Sequence, residues 1–154
     1  MVVNLKVMYF VFDGAFGHND ALQMVKQLGW HLIAKLRHDA ALYFPYEGPY
    51  SGRGKRKKYG KKPDCQHIPN DYLQEDFVDK DMQTRIYHLK LWHKKCSDLL
   101  NIVVLVKTNL QTQAVAHVVL FSSDLDLSYD QLIDYYRLRF QIEFNFRDAK
   151  YKSP

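Results

Sequence analysis

Hydrophobic and polar positions alternate along this chain in blocks, and the first block is the densest. VVNLKVMYFVFDG, residues 2–14, is nearly continuous in apolar, β-branched and aromatic side chains and stops at Asp13-Gly14. That is the pattern of a single strand buried on both faces. FGHND follows as a loop, with Asn19 or Asp20 as N-cap. ALQMVKQLG then carries Leu22, Met24, Val25 and Leu28 ahead of Gly29, which reads as a short helix with a glycine stop. β character resumes in WHLIAKL. Residues 3–37 thus predict a strand, helix, strand unit with parallel strands and a right-handed crossover. Asp13 falls at the C-terminal end of the first strand, the edge where open α/β sheets gather their chemistry.

From about residue 40 to 72 the pattern lapses. Gly and Pro are frequent there, and RGKRKKYGKK forms a dense basic run, so this stretch reads as a loop. Three β-like runs come next, at residues 85–92, 101–108 and 114–122, with NLQTQ as a hairpin connection. LSYDQLIDYY opens a helix with Ser128 as N-cap, and helical periodicity continues to about Lys150. Three units result: residues 1–40, residues 41–122 with the basic loop and a β-rich insertion, and residues 123–154 with the helix.

Side-chain directions on that helix follow from an advance of about 100° per residue. Tyr136, Arg139, Glu143 and Lys150 project within roughly 60° of one another. Tyr135, Leu138, Ile142, Phe146 and Ala149 form an apolar stripe beside them, and Arg137, Gln141, Asn145 and Asp148 take the far side. The stripe is expected to face the core. The four polar residues then lie at its border, half sheltered.

The spacing Y-x-x-R-x-x-x-E-x-x-x-x-x-x-K, filled by Tyr136, Arg139, Glu143 and Lys150, resembles the signature of bacterial insertion-sequence DDE transposases. VFDGAFGHNDALQ is similar to the region around the second catalytic Asp of that group, and LRHDAALYFPYEGPYSGRGKRKKYG to the segment after the next strand. The resemblance implies an α/β, RNase H-like fold, partial here, with the β-rich insertion between the last sheet strand and the Glu-bearing helix. It also implies Asp13 and Glu143 as catalytic, metal-binding acids for Mg²⁺ or Mn²⁺, and Tyr136, Arg139 and Lys150 as DNA contacts near the scissile phosphate. Implied partners are DNA, as insertion-sequence ends and target, and a full-length transposase. The twelve residues before Asp13 contain no Asp or Glu, so the family's first Asp has no counterpart. The chain is therefore expected to be a C-terminal piece of such an enzyme, inactive alone. The alternative is a catalytically inactive DNA-binding remnant or an inhibitor of transposition.

Charge agrees with that picture. A net charge of +5 favours an anionic partner, nucleic acid first. Arg53, Lys55, Arg56, Lys57 and Lys58 are the candidate phosphate contacts in the loop. Two cysteines make no disulfide framework, and no apolar run reaches the roughly 20 residues of a membrane span, so a cytoplasmic, nucleoid-associated setting is expected. His88, His93, Cys96, Cys65 and His67 match no strong zinc spacing. Trp92 reads as sheet or core, and SSDLDLS as a strand exit followed by a helix cap.

Overall fold

The computed structural model describes residues 2–4, 8–15, 19–37 and 40–138. Among them, eight strands form one sheet. β1 (Val2–Asn4) pairs antiparallel with β2 (Met8–Ala15), with Val2 opposite Phe10. The long apolar block is thus two strands rather than the one expected. A continuous apolar run has no periodicity to mark a reversal inside it.

β2, α1 (Asn19–Gln27) and β3 (His31–Leu36) form the anticipated unit, and the two strands are parallel, with Tyr9 opposite His31. Only two of the four apolar residues expected for this helix pack inward, and Leu28 lies just past its end. Leu22 and Val25 are buried, whereas Met24 and Leu28 are each 59% exposed. The helix ends as its glycine requires: Gly29 has φ 75°, its N–H donates to Lys26 O at 2.9 Å, and Trp30 N–H donates to Val25 O at 3.1 Å. This pair of bonds is a Schellman cap, in which a residue without Cβ takes the left-handed conformation at little cost.

After β3 the chain passes through β4 (Leu42–Tyr43), a basic loop and a 3₁₀ turn (Asn70–Tyr72), then enters β5 (Leu73–Asp79), β6 (Met82–His93), β7 (Leu99–Asn109) and β8 (Val115–Ser122). β6, β7 and β8 are an antiparallel meander. β8 then docks antiparallel on β3, with Ile33 opposite Ser122. Hydrogen-bonded pairing therefore runs without a break from β2 to β6. β5 carries no period-2 pattern in the sequence and is joined to β6 by Lys80 and Asp81, at φ 49° and 64°. Two positive φ values match the type I′ hairpin turn, here without its usual Asn-Gly signal.

Alternation along the strands divides the interior in two. On one face Leu32, Ala34, Leu89, Leu91, Ile102, Val104, Val119 and Phe121 meet Leu22 and Val25 of α1. On the other, Tyr9, Val11, Ile33, Val103 and Leu120 meet Leu132, Ile133 and Tyr136 of a second helix, α2, helical over residues 129–138. Each large apolar side chain buried this way contributes about 1.5–3 kcal/mol before chain entropy is subtracted. The result is a mixed α/β domain, rich in strands and poor in helices. No helix among the described residues is long and apolar enough to cross a membrane.

Candidate functional site

Asp13 stands in an irregular part of β2. Phe12 pairs with Ala34 and Ala15 with Lys35, so Asp13 and Gly14 are extra residues inserted against a single step of β3. A bulge of this kind bends the strand and redirects side chains, and bulges recur beside active sites. It lies at the C-terminal end of the parallel pair, with α1 beginning at Asn19.

α2 approaches from the opposite side of the sheet. Its Tyr129 ring lies 6.1 Å from that of His88 on β6, and its Tyr135 ring lies 5.4 Å from that of Tyr9 on β2. The helix therefore crosses the strands from the β6 side toward β2, the strand that carries Asp13. Arg139, Glu143 and Lys150 lie outside the described residues. Tyr136 is 7% exposed, inside the second apolar cluster, while Leu138 is 38% exposed. The half-sheltered border position expected for Tyr136 and the core position expected for Leu138 are both corrected. Counting Leu132 and Ile133, at about −40° and +60° from Tyr136, puts Tyr136 at the centre of the apolar stripe in these turns.

A buried polar network seats the start of α2. Asn101 is fully buried on β7, and its Nδ2 donates to Asp124 O at 2.9 Å and Leu127 O at 2.7 Å. His88 Nε2 bonds Asn101 Oδ1, and the Tyr9 hydroxyl donates to the Asp124 carboxylate. Burial, then the Asp124 hydrogen bond and charge, push the Tyr9 hydroxyl above its ordinary range. Asp124 N–H donates to Ser122 Oγ at 3.0 Å, and Leu32 N–H to Ser123 Oγ at 2.9 Å. One polar residue in an apolar strand carries no local sign of such distant partners, so the role of Asn101 is set by the fold alone.

At the other end of the sheet, the basic loop is exposed but ordered by backbone bonds. Phe44 N–H donates to Lys61 O at 2.9 Å, Tyr46 N–H to Lys58 O at 3.1 Å, and Gly60 N–H to Phe44 O at 2.6 Å. A Cβ on Gly60 would stand 2.9 Å from the carbonyl oxygens of both Phe44 and Pro45, so only glycine fits. Cations of the loop lie over rings: Arg56 over Tyr50 at 5.2 Å, Lys57 over Tyr46 at 5.2 Å, and Lys58 over Trp92 at 4.0 Å. Such contacts hold a flexible ammonium in place with modest energy, leaving its charge available to solvent and phosphate. Arg53 and Lys55 are exposed in the same loop.

The remaining titratable candidates are dispersed. His93 Nδ1 accepts from Lys95 N–H at 3.0 Å, and burial, with Lys95, holds its pKa below the ordinary value. His67 bonds Asp64 at 2.8 Å, and burial raises both the Cys65 and Cys96 thiols. Among the described residues, no three His, Cys, Asp or Glu side chains gather to hold a metal ion. Asp13 is one oxygen-donor residue placed at the edge by its backbone.

Comparison with known families supplies the missing context. The family model described as DDE superfamily endonuclease matches residues 3–96, well over half of the chain, from β1 through the end of β6. The matched part contains Asp13 and the whole basic loop, and it stops before β7 and α2. No curated protein and no solved structure matches the chain significantly. The mixed sheet with few helices is compatible with a partial RNase H-like domain of this kind. With Asp13 at a bulged strand end inside the matched residues, the chain belongs to the DDE superfamily endonucleases.

Proposed function

We propose that the chain is part of an insertion-sequence DDE transposase, with Asp13 and Glu143 as two of the acids that hold Mg²⁺ or Mn²⁺ for cutting and joining DNA strands. The observation that carries this reading is the position of Asp13, in a bulge at the C-terminal edge of a parallel strand pair within the family-matched residues. Endonucleases of this superfamily generally use divalent metals, and the family implies DNA as substrate. A carboxylate fits as a hard oxygen donor for such a cation. When bound, the cation supplies Lewis acidity toward an attacking oxygen and toward the leaving oxygen of a phosphodiester.

The chain's own residues have distinct parts in this proposal. Asp13 and Glu143 provide the anionic oxygens, Asp13 from the end of β2. Arg139 and Lys150 contact the phosphates flanking the scissile bond. Tyr136, being buried, acts by fixing the rotation of α2 against the sheet. Arg53, Lys55, Arg56, Lys57 and Lys58 neutralise phosphates farther along the duplex, which makes affinity fall with salt. Insertion-sequence ends and target DNA are the intended ligands, and a full-length transposase is the protein partner.

Manganese titration followed by electron paramagnetic resonance tests the metal assignment. Binding by the 154-residue chain should weaken on Asp13→Asn and on Glu143→Gln, with the fold intact by circular dichroism. Unchanged Mn²⁺ affinity in both variants would remove these carboxylates from the site. With only Asp13 and Glu143 assigned to the metal, strand cleavage by the 154-residue chain is expected to be absent. Cleavage of end-containing DNA that disappears in Glu143→Gln would show that the chain completes its own site.

A further inference from the structure

β4 and β5 both pair with the same edge of β6, but at its two ends. β4 meets Trp92 and His93, and β5 meets Met82 to Tyr87. Residues 88–91 of β6 thus have no strand beside them on that edge among the described residues. A groove of about 870 Å³ opens there, between the basic loop and the sheet. Phe44, Tyr46 and Tyr72 line it with ring surface, and Lys57, Lys61 and Lys90 line it with positive charge against the single carboxylate of Glu47. The rings are held: Phe44 and Tyr72 lie 5.7 Å apart, and Tyr46 carries Lys57 over its face.

Aromatic faces inside a concave groove have no use on an intact duplex, whose bases are stacked on one another and whose phosphates are outermost. They suit unpaired bases, while lysines beside them suit the accompanying phosphates. Resting on the DNA reading above, we propose that this groove takes a short single-stranded segment of nucleic acid, with bases against Tyr46 and Tyr72 and phosphates on Lys57, Lys61 and Lys90. The lysine now over Tyr46 moves to a phosphate, and a base takes its place on the ring. The exposed run of Arg53, Lys55 and Arg56 serves duplex and single strand alike, because it offers charge without ring surface in the groove.

Fluorescence anisotropy with a labelled 15-nucleotide oligothymidine and a 15-base-pair duplex, titrated with the 154-residue chain, separates the two sites. Tyr46→Leu combined with Lys90→Gln should weaken single-strand binding about tenfold, the order expected for one stacked base, and leave duplex binding unchanged. Arg53→Gln, Lys55→Gln and Arg56→Gln together should weaken both ligands by similar factors. A second readout needs no mutation: 5-iodouracil in the oligomer should photo-crosslink to Tyr46 or Tyr72. If the groove variant lowers both ligands equally, or crosslinks map elsewhere while duplex binding is normal, the groove proposal is overturned and the DNA reading stands. Absence of binding to either ligand at low salt overturns both.

Discussion

The two ends of this sheet are built differently, and each suits a different task. At the β2 end one strand pair, β2 and β3, is parallel, helices cover both faces, and a bulge carries Asp13 at the strand terminus. At the β6 end pairing is antiparallel, the outer edge is shared by two partial strands, and cations lie on rings at the surface. A metal-binding carboxylate needs placement within a fraction of an ångström, which strands and a seated helix provide. A phosphate-binding surface needs exposed charge and only moderate ordering, which cation–π contacts and a few backbone bonds provide. The contrast predicts that damage to the seat of α2 should cost stability and metal binding. Damage to the loop should cost nucleic-acid affinity and little else.

The largest effect is expected from Tyr136→Ala, which opens a cavity in the α2 cluster and should lower unfolding free energy by about 3 kcal/mol in urea titrations. Oligonucleotide affinity measured well below the transition should persist. A strong loss of affinity with unchanged stability would instead place Tyr136 on the DNA. Asn101→Ala comes next, at about 2 kcal/mol, since it strands two buried carbonyls and the bond to His88. Its thermal midpoint should drop, and Mn²⁺ binding should weaken with it. Asn101→Ala with normal stability would show that α2 is seated without this network.

Gly60→Ala acts at the other end. It presses a methyl on two backbone carbonyls and should cost about 1 kcal/mol, by overpacking, mainly as faster proteolysis between Tyr46 and Lys62. Lys58→Ala should leave the midpoint within error, quench or shift Trp92 fluorescence, and reduce the slope of log affinity against log salt by about one. Loss of cooperative unfolding in this variant would break the separation of the two ends. Acid adds a small, graded effect. His93 has its pKa held below its ordinary 6.5 in the folded chain, so the unfolded chain binds protons first as pH falls. The stability from neutral His93 is complete above 6.5 and is lost as pH falls through its folded pKa. Urea midpoints should therefore decline between pH 7 and pH 5, and decline less in His93→Asn.

Local features were legible where local physics decides them. The strand, helix, strand unit, the glycine stop at Gly29, the three long insertion strands and a helix following Ser128 all follow from periodicity and capping, which act within a few residues. Asp13 at a strand end was legible for the same reason. Its bulge was not, because register depends on how β2 pairs with β3. The reversal between β1 and β2 and the hairpin at Lys80–Asp81 were hidden, since neither a uniform apolar run nor a turn without Asn or Gly signals itself. Tyr136 sits at the centre of the buried stripe rather than at its border, because helical periodicity fixes relative angles only. The face that turns inward is chosen by the surface it meets.

The sequence by itself determined the chemistry on offer: a carboxylate closing an apolar strand, a basic run flanked by rings, and a helix that opens at Ser128 and carries Tyr136. Tertiary structure decided which of these come together. It laid the insertion onto β3 as one sheet, sent α2 across from β6 to β2, and left a gap along β6 where ring surface and lysines share a groove. Those outcomes rest on pairings between residues dozens of positions apart, whose free energy comes from burial and hydrogen bonds that exist only once the chain has closed on itself.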